Sequence, residues 1–98
     1  MKRFEIEFTD KAIADLDASF EWGYEVWGPE QAANWYFEMR DRIIEQLTVA
    51  PLACPLAPQQ HLYAAETRVL IIGRYNVLFH VYGTLVSILH IRGPFKER

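Results

Sequence analysis

Two glycine-led dipeptides, Gly73-Arg74 and Gly83-Thr84, divide the last third of the chain into three short β-rich stretches, and this spacing admits few architectures. Glycine in the first central position suits the two-residue type II′ hairpin, whose twist matches that of the strands it joins. The stretches of about Thr67 to Ile72, Tyr75 to Tyr82 and Leu85 to Ile91 therefore predict an antiparallel meander. A meander has two faces, and one of them must be covered. The first half supplies the cover. Arg3 to Phe8 alternates strictly, with Phe4, Ile6 and Phe8 on one side, as a half-buried strand requires. Thr9-Asp10 then offers a helix N-cap, and Ala12, Ile13, Leu16 and Phe20 recur at helical spacing, predicting a first helix from about Asp10 to Tyr24. Gly28-Pro29 breaks it. Pro29 suits a first helical turn, and Ala32, Trp35, Tyr36, Met39, Ile43 and Leu47 mark one face of a second helix. Pro51, Pro55 and Pro58 make residues 49–64 a loop, because each proline lacks an amide donor and restricts its predecessor.

The predicted fold is thus α+β, a single domain over residues 1–98, with a helical hairpin packed on one face of the sheet. Ninety-eight residues leave no room for a second core. A lone cysteine, Cys54, excludes an internal disulfide, and the charged opening lacks the apolar stretch of a signal peptide, so a cytoplasmic location is expected. The longest aliphatic run, Val69 to Ile72, is far too short to span a bilayer.

The net charge of −3 is unevenly spread. Residues 1–59 hold five Lys/Arg against eleven Asp/Glu, whereas residues 60–98 hold five against two. An acidic helical half argues against wholesale nonspecific nucleic-acid binding, which needs a basic surface to displace counterions. His61, His80 and His90 lack the short spacings of a zinc site, and no phosphate-binding glycine loop or nucleophile elbow is present, so no metal or other cofactor is expected.

In element order and spacing the chain resembles the RelE/ParE toxin superfamily over nearly its full length. The residues that carry the resemblance are Phe8-Thr9-Asp10-Lys11-Ala12 with Asp15-Leu16, Pro29-Glu30-Gln31-Ala32-Ala33, and Ile43 to Leu47 with Pro51. Downstream they are Arg68-Val69-Leu70, Arg74 to Val81, and Val86 to Arg92. The resemblance implies the toxin of a type II toxin-antitoxin module, associated with growth inhibition and plasmid stabilisation and held inactive by an antitoxin that wraps across it. It also implies a homodimer or a hetero-oligomer with that antitoxin. Two activities occur in the superfamily: RelE-like members cut messenger RNA on the ribosome, and ParE-like members bind DNA gyrase. The fold alone does not choose between them.

Metal-free RNA cleavage needs an acid, a base and positive charge against the phosphorane. RelE uses an arginine directly after the tyrosine that opens the middle meander strand. Here that position is Asn76, no tyrosine follows Tyr82, and only Lys96 and Arg98 echo the C-terminal basic cluster. A non-standard catalytic set would draw on His80, His90 and Arg92, with Arg68, Arg74, Asn76 and Lys96 contacting the target. A two-residue turn at Gly83-Thr84 pairs Tyr82 with Leu85, His80 with Ser87 and His90 with Val77, putting the two histidines on opposite faces. A longer loop or a bulge would bring them together beside Asn76.

The structural readings are plainer. His80 suits a half-exposed strand position, Arg92 could pair with a helix carboxylate, and Arg68 and Arg74 could guard a sheet edge against pairing. Most of Trp22, Tyr24, Trp27, Trp35 and Tyr36 should be core between the helices, any left exposed forming a partner patch. Three readings stay open: a toxin that binds its target, an endoribonuclease, and a degenerate module that only binds. The edge strand at Val69 to Ile72 and the open sheet face are the expected antitoxin contacts.

Overall fold

A computed structural model describes residues 3–58 and 65–93. Strand β1 (Glu5–Phe8) leads into helix α1 (Asp10–Trp27), and helix α2 (Pro29–Val49) follows after Gly28. A 3-10 turn at Pro51–Ala53 precedes strands β2 (Arg68–Ile72), β3 (Tyr75–Tyr82) and β4 (Leu85–Arg92). The sheet order is β1-β4-β3-β2, so the first strand lies parallel to the last while the meander is antiparallel. This is the expected α+β arrangement. Helix α1 runs one turn further than its apolar spacing predicts, to the residue before Gly28, whose φ of 101° is open to glycine and strained for other residues.

Both hairpin turns have the expected form. Gly73 and Gly83 each have φ of 60°, and among the described residues none other than glycine has positive φ, so only the first central residue of each turn is left-handed, as type II′ requires.

One sheet face is covered. Leu16 of α1 and Met39, Ile43 and Leu47 of α2 pack on Leu70, Val77, Phe79, Val86, Ile88 and Ile91, and Phe79 and Ile88 have no exposed surface. The helices approach each other where buried Gly23 of α1 faces buried Ala32 of α2, and Phe20 of α1 meets Tyr36 of α2 edge to face at 5.9 Å. Trp22, Tyr24 and Trp27 are exposed, and Trp35 and Tyr36 are half-buried, which corrects the expectation that most of these aromatics fill the space between the helices.

Thr9 ties the two ends of the chain together. Its amide and its hydroxyl both donate to the Ile88 carbonyl, at 3.1 and 2.7 Å, and the same Oγ1 accepts from the Ala12 amide at 3.2 Å. It therefore ends β1, caps α1 and fastens both to β4. Replacing it in Thr9→Val keeps the shape and removes the hydroxyl. Loss of an N-cap costs about 1 kcal/mol, up to about 2, and urea unfolding should show a loss in that range with an unchanged m-value.

Candidate functional site

His80 lies on β3 and His90 on the neighbouring β4, and their relation depends on a bulge. The pairs Tyr82 with Leu85 and His80 with Ser87 follow from the two-residue turn. Beyond them the register shifts at Leu78/Phe79: Phe79 lies opposite Ile88, and Leu78 opposite His90, so Leu89 is the extra residue. The expected pairing of His90 with Val77 is thereby corrected; Val77 faces Ile91, and Asn76 faces Arg92. The bulge turns His90 and Arg92 to the sheet side that carries Asn76, Leu78 and His80, which corrects the expectation of opposite faces, yet the two imidazoles keep different partners. His90 Nδ1 sits 3.8 Å from Asp15 Oδ2 of α1, whereas His80 bonds within β3 and to the start of β2.

Asp15 is the hub on the α1 side. Its Oδ2 accepts the Ile91 amide at 2.9 Å, and its Oδ1 accepts Lys11 Nζ at 3.0 Å. Partial burial pushes the His90 imidazole below its ordinary pKa, Arg92 and Lys11 push the same way, and Asp15 opposes them. The carboxylate that Arg92 was expected to find on the helices is taken by these groups. Arg92 itself is exposed, with no ion pair among the described residues.

On the other side, the His80 ring lies between two hydroxyls, with Nε2 3.0 Å from Thr67 Oγ1 and Nδ1 2.8 Å from the Tyr82 phenol. Thr67 Oγ1 also donates to the Ala65 carbonyl at 3.1 Å. Both ring nitrogens are thus engaged, one by each hydroxyl. Thr67 is fully buried, His80 half-buried and Tyr82 exposed, so the chain opens to solvent towards its phenol end.

The remaining candidates are dispersed. Arg68 is held by the chain itself: Nη1 donates to the Cys54 carbonyl at 2.7 Å, and Nη2 lies 3.6 Å from Glu66. Burial pushes the Cys54 thiol up, and the Arg68 charge opposes this. Arg74 lies in the β2–β3 turn against the tryptophans, Asn76 is exposed on β3, and Lys96 lies outside the described residues, as does His61. No group of three or more His, Cys, Asp or Glu able to hold a metal occurs among the described residues.

The outer edge of β2 was anticipated as a contact, but its layout was not. Residues 55–57 lie along it as a short strip, with the Val69 amide donating to the Pro55 carbonyl at 3.0 Å and the Ala57 amide to the Thr67 carbonyl at 2.8 Å. The backbone of Thr67 and Val69 therefore points outward, and by alternation so does that of Ile71. Pro55 has no amide to continue the pairing. Ile71 is left beyond the strip, 64% exposed, beside a hollow of about 490 Å³ shared with Val49, Ala53 and Cys54.

One sheet face is covered by the helices, the other carries His80, His90, Arg92 and Asn76, and the β2 edge is free of the 55–57 strip only around Ile71. Residues 6–93 match the family described as the ParE toxin of the type II toxin-antitoxin system parDE, and the chain belongs to that family. It is similar in fold to the chromosomal ParDE toxin-antitoxin system from P. aeruginosa, with a TM-score of 0.75 at 24% identity over 93% of this chain and 96% of that one. It is also similar to the toxin-antitoxin complex RelBE2 from Mycobacterium tuberculosis, with a TM-score of 0.65 at 23% identity over 95% and 93%. No curated protein matches it. No helix among the described residues is long and apolar enough to cross a membrane.

The lowered His90 pKa fixes the sign of a pH effect. The unfolded chain takes up the proton near pH 6.5 and the folded chain only at lower pH, so this contribution to stability is complete above about 6.5 and lost as pH falls below it. Melting temperatures measured from pH 7.5 to 5.5 should decline, and His90→Gln should flatten that decline.

Proposed function

We propose that this type II toxin is held inactive by an antitoxin strand that adds to the outer edge of β2, and that when free it acts by binding DNA gyrase without cutting RNA. The separate partners of the cationic and imidazole side chains support binding over cleavage. Asn76 stands where RelE has its arginine, Arg68 is spent on a loop carbonyl, and His80 and His90 serve different elements. The gyrase reading follows from membership of the ParE family and from the ParE-like activity named above. An antitoxin partner is supported by the neighbouring structures, both described as toxin-antitoxin systems. The exposed Ile71 supplies an apolar anchor, and its outward amide and carbonyl supply the hydrogen bonds, for an added strand.

The purified chain should inhibit supercoiling by gyrase while leaving a transcript on translating ribosomes intact. Transcript cleavage that disappears in His90→Ala or Arg92→Ala would establish the nuclease instead. A chain that affects neither supercoiling nor RNA would be a binding module only. The edge is tested separately. Ile71→Pro removes an outward amide and leaves the inward ladder to β3, so the variant should fold and bind the co-expressed antitoxin at least about tenfold more weakly. Unchanged antitoxin affinity would rule out strand addition at this edge.

A further inference from the structure

All three tryptophans of the chain line one hollow at the closed end of the helical hairpin; Trp35 also packs against the core, but neither the sheet edge nor the core accounts for Trp22 and Trp27. The hollow, about 340 Å³, lies between α1, α2 and the β2–β3 turn. Trp22 and Trp27 meet edge to face at 5.3 Å, and Trp35 is tilted against Tyr75 at 5.2 Å. Trp22 and Trp27 remain 39% and 42% exposed, although rings of this size contribute most when fully desolvated.

Trp27 is held there by a local sacrifice. Gly23 sits in the interior of α1, where glycine is a poor helix former. A Cβ at that position would come within 2.9 Å of the Trp27 ring, so the missing side chain is the seat on which the indole rests. The wall is therefore built in advance of any ligand.

Its charges are specific. Arg42 of α2 and Arg74 of the turn line the opening, both exposed and both without an ion pair among the described residues. Glu38 shares the same rim. Two arginines against one carboxylate leave a local excess of a single positive charge on a chain whose net charge is −3. A phosphate polymer needs a longer basic track than that. An apolar side chain buried among the indoles, with carboxylates on its flanks reaching the arginines, matches both the lining and the charge.

We infer that this tryptophan hollow is a docking site for a protein segment that presents a bulky aliphatic side chain between acidic residues. It is separate from the β2 edge. A chain carrying Ile71→Pro that has lost its antitoxin should still bind through the hollow, so the two readings fail independently.

Because every tryptophan lines the site, intrinsic fluorescence reports on it directly. The probes are a capped hexapeptide, Glu-Asp-Leu-Leu-Asp-Glu, its amide counterpart Gln-Asn-Leu-Leu-Asn-Gln, and oligothymidylate followed by calorimetry. The acidic peptide should shift the emission and bind at least about tenfold more tightly than the amide form, the size expected of charge-assisted contacts. Replacing both arginines with glutamine should reduce it to the amide level, with the far-ultraviolet dichroism unchanged. Gly23→Ala should retain the fold and weaken the acidic peptide by displacing Trp27. Equal binding of the two peptides, tighter binding of oligothymidylate, or full affinity in the Gly23→Ala chain would overturn the proposal.

Discussion

Strand β4 is central to the sheet, yet its neighbour β1 ends at Phe8, opposite Ile88, while β4 continues to Arg92. The outward backbone groups past that point must be satisfied by something other than a strand, since an unpaired buried amide costs about 1–3 kcal/mol. Helix α1 does this. Thr9 takes the Ile88 carbonyl, and the Asp15 carboxylate takes the Ile91 amide. The start of α1 thus replaces the missing part of β1, which fixes the helix across the sheet and sets the position of α2 and the whole core. Asp15 is a hydrogen-bond acceptor with a structural task, and His90 and Lys11 are gathered around it as a result.

The order of elements was legible because each rests on a local rule. Alternation marks β1, capping and three- to four-residue spacing mark the helices, and glycine in the first turn position marks both hairpins. The strand Tyr75–Tyr82 has the bounds its sequence suggests. The bulge was not legible in position. Leu89 is as apolar as its neighbours, so alternation through Ile88, Leu89, His90 and Ile91 carries no mark of an extra residue, and the face assigned to His90 depended on it.

The candidate site was legible only in part, for a different reason. Residue type nominated Arg68, His80, His90 and Arg92, but partners decide what such groups do, and the partners are distant in sequence. His80 and Thr67 are thirteen residues apart, and Ile91 and Asp15 seventy-six. The aromatic cluster had a signal that went unused. A glycine within the apolar pattern of α1, four residues before a tryptophan, is a local cost that calls for a packing reason, and Gly23 beneath Trp27 is that reason.

The parallel pairing of β1 with β4 also has a temporal side. Thr9 and Ile88, seventy-nine residues apart, must meet before the central strand has both its neighbours. Contacts of such long separation form late and slowly. During synthesis the helical hairpin can assemble early, but the apolar faces of both helices stay uncovered until residues 85–92 have been made. A chain that stops before that stretch has no strand between β1 and β3, so the native core forms only once residues 85–92 are in place.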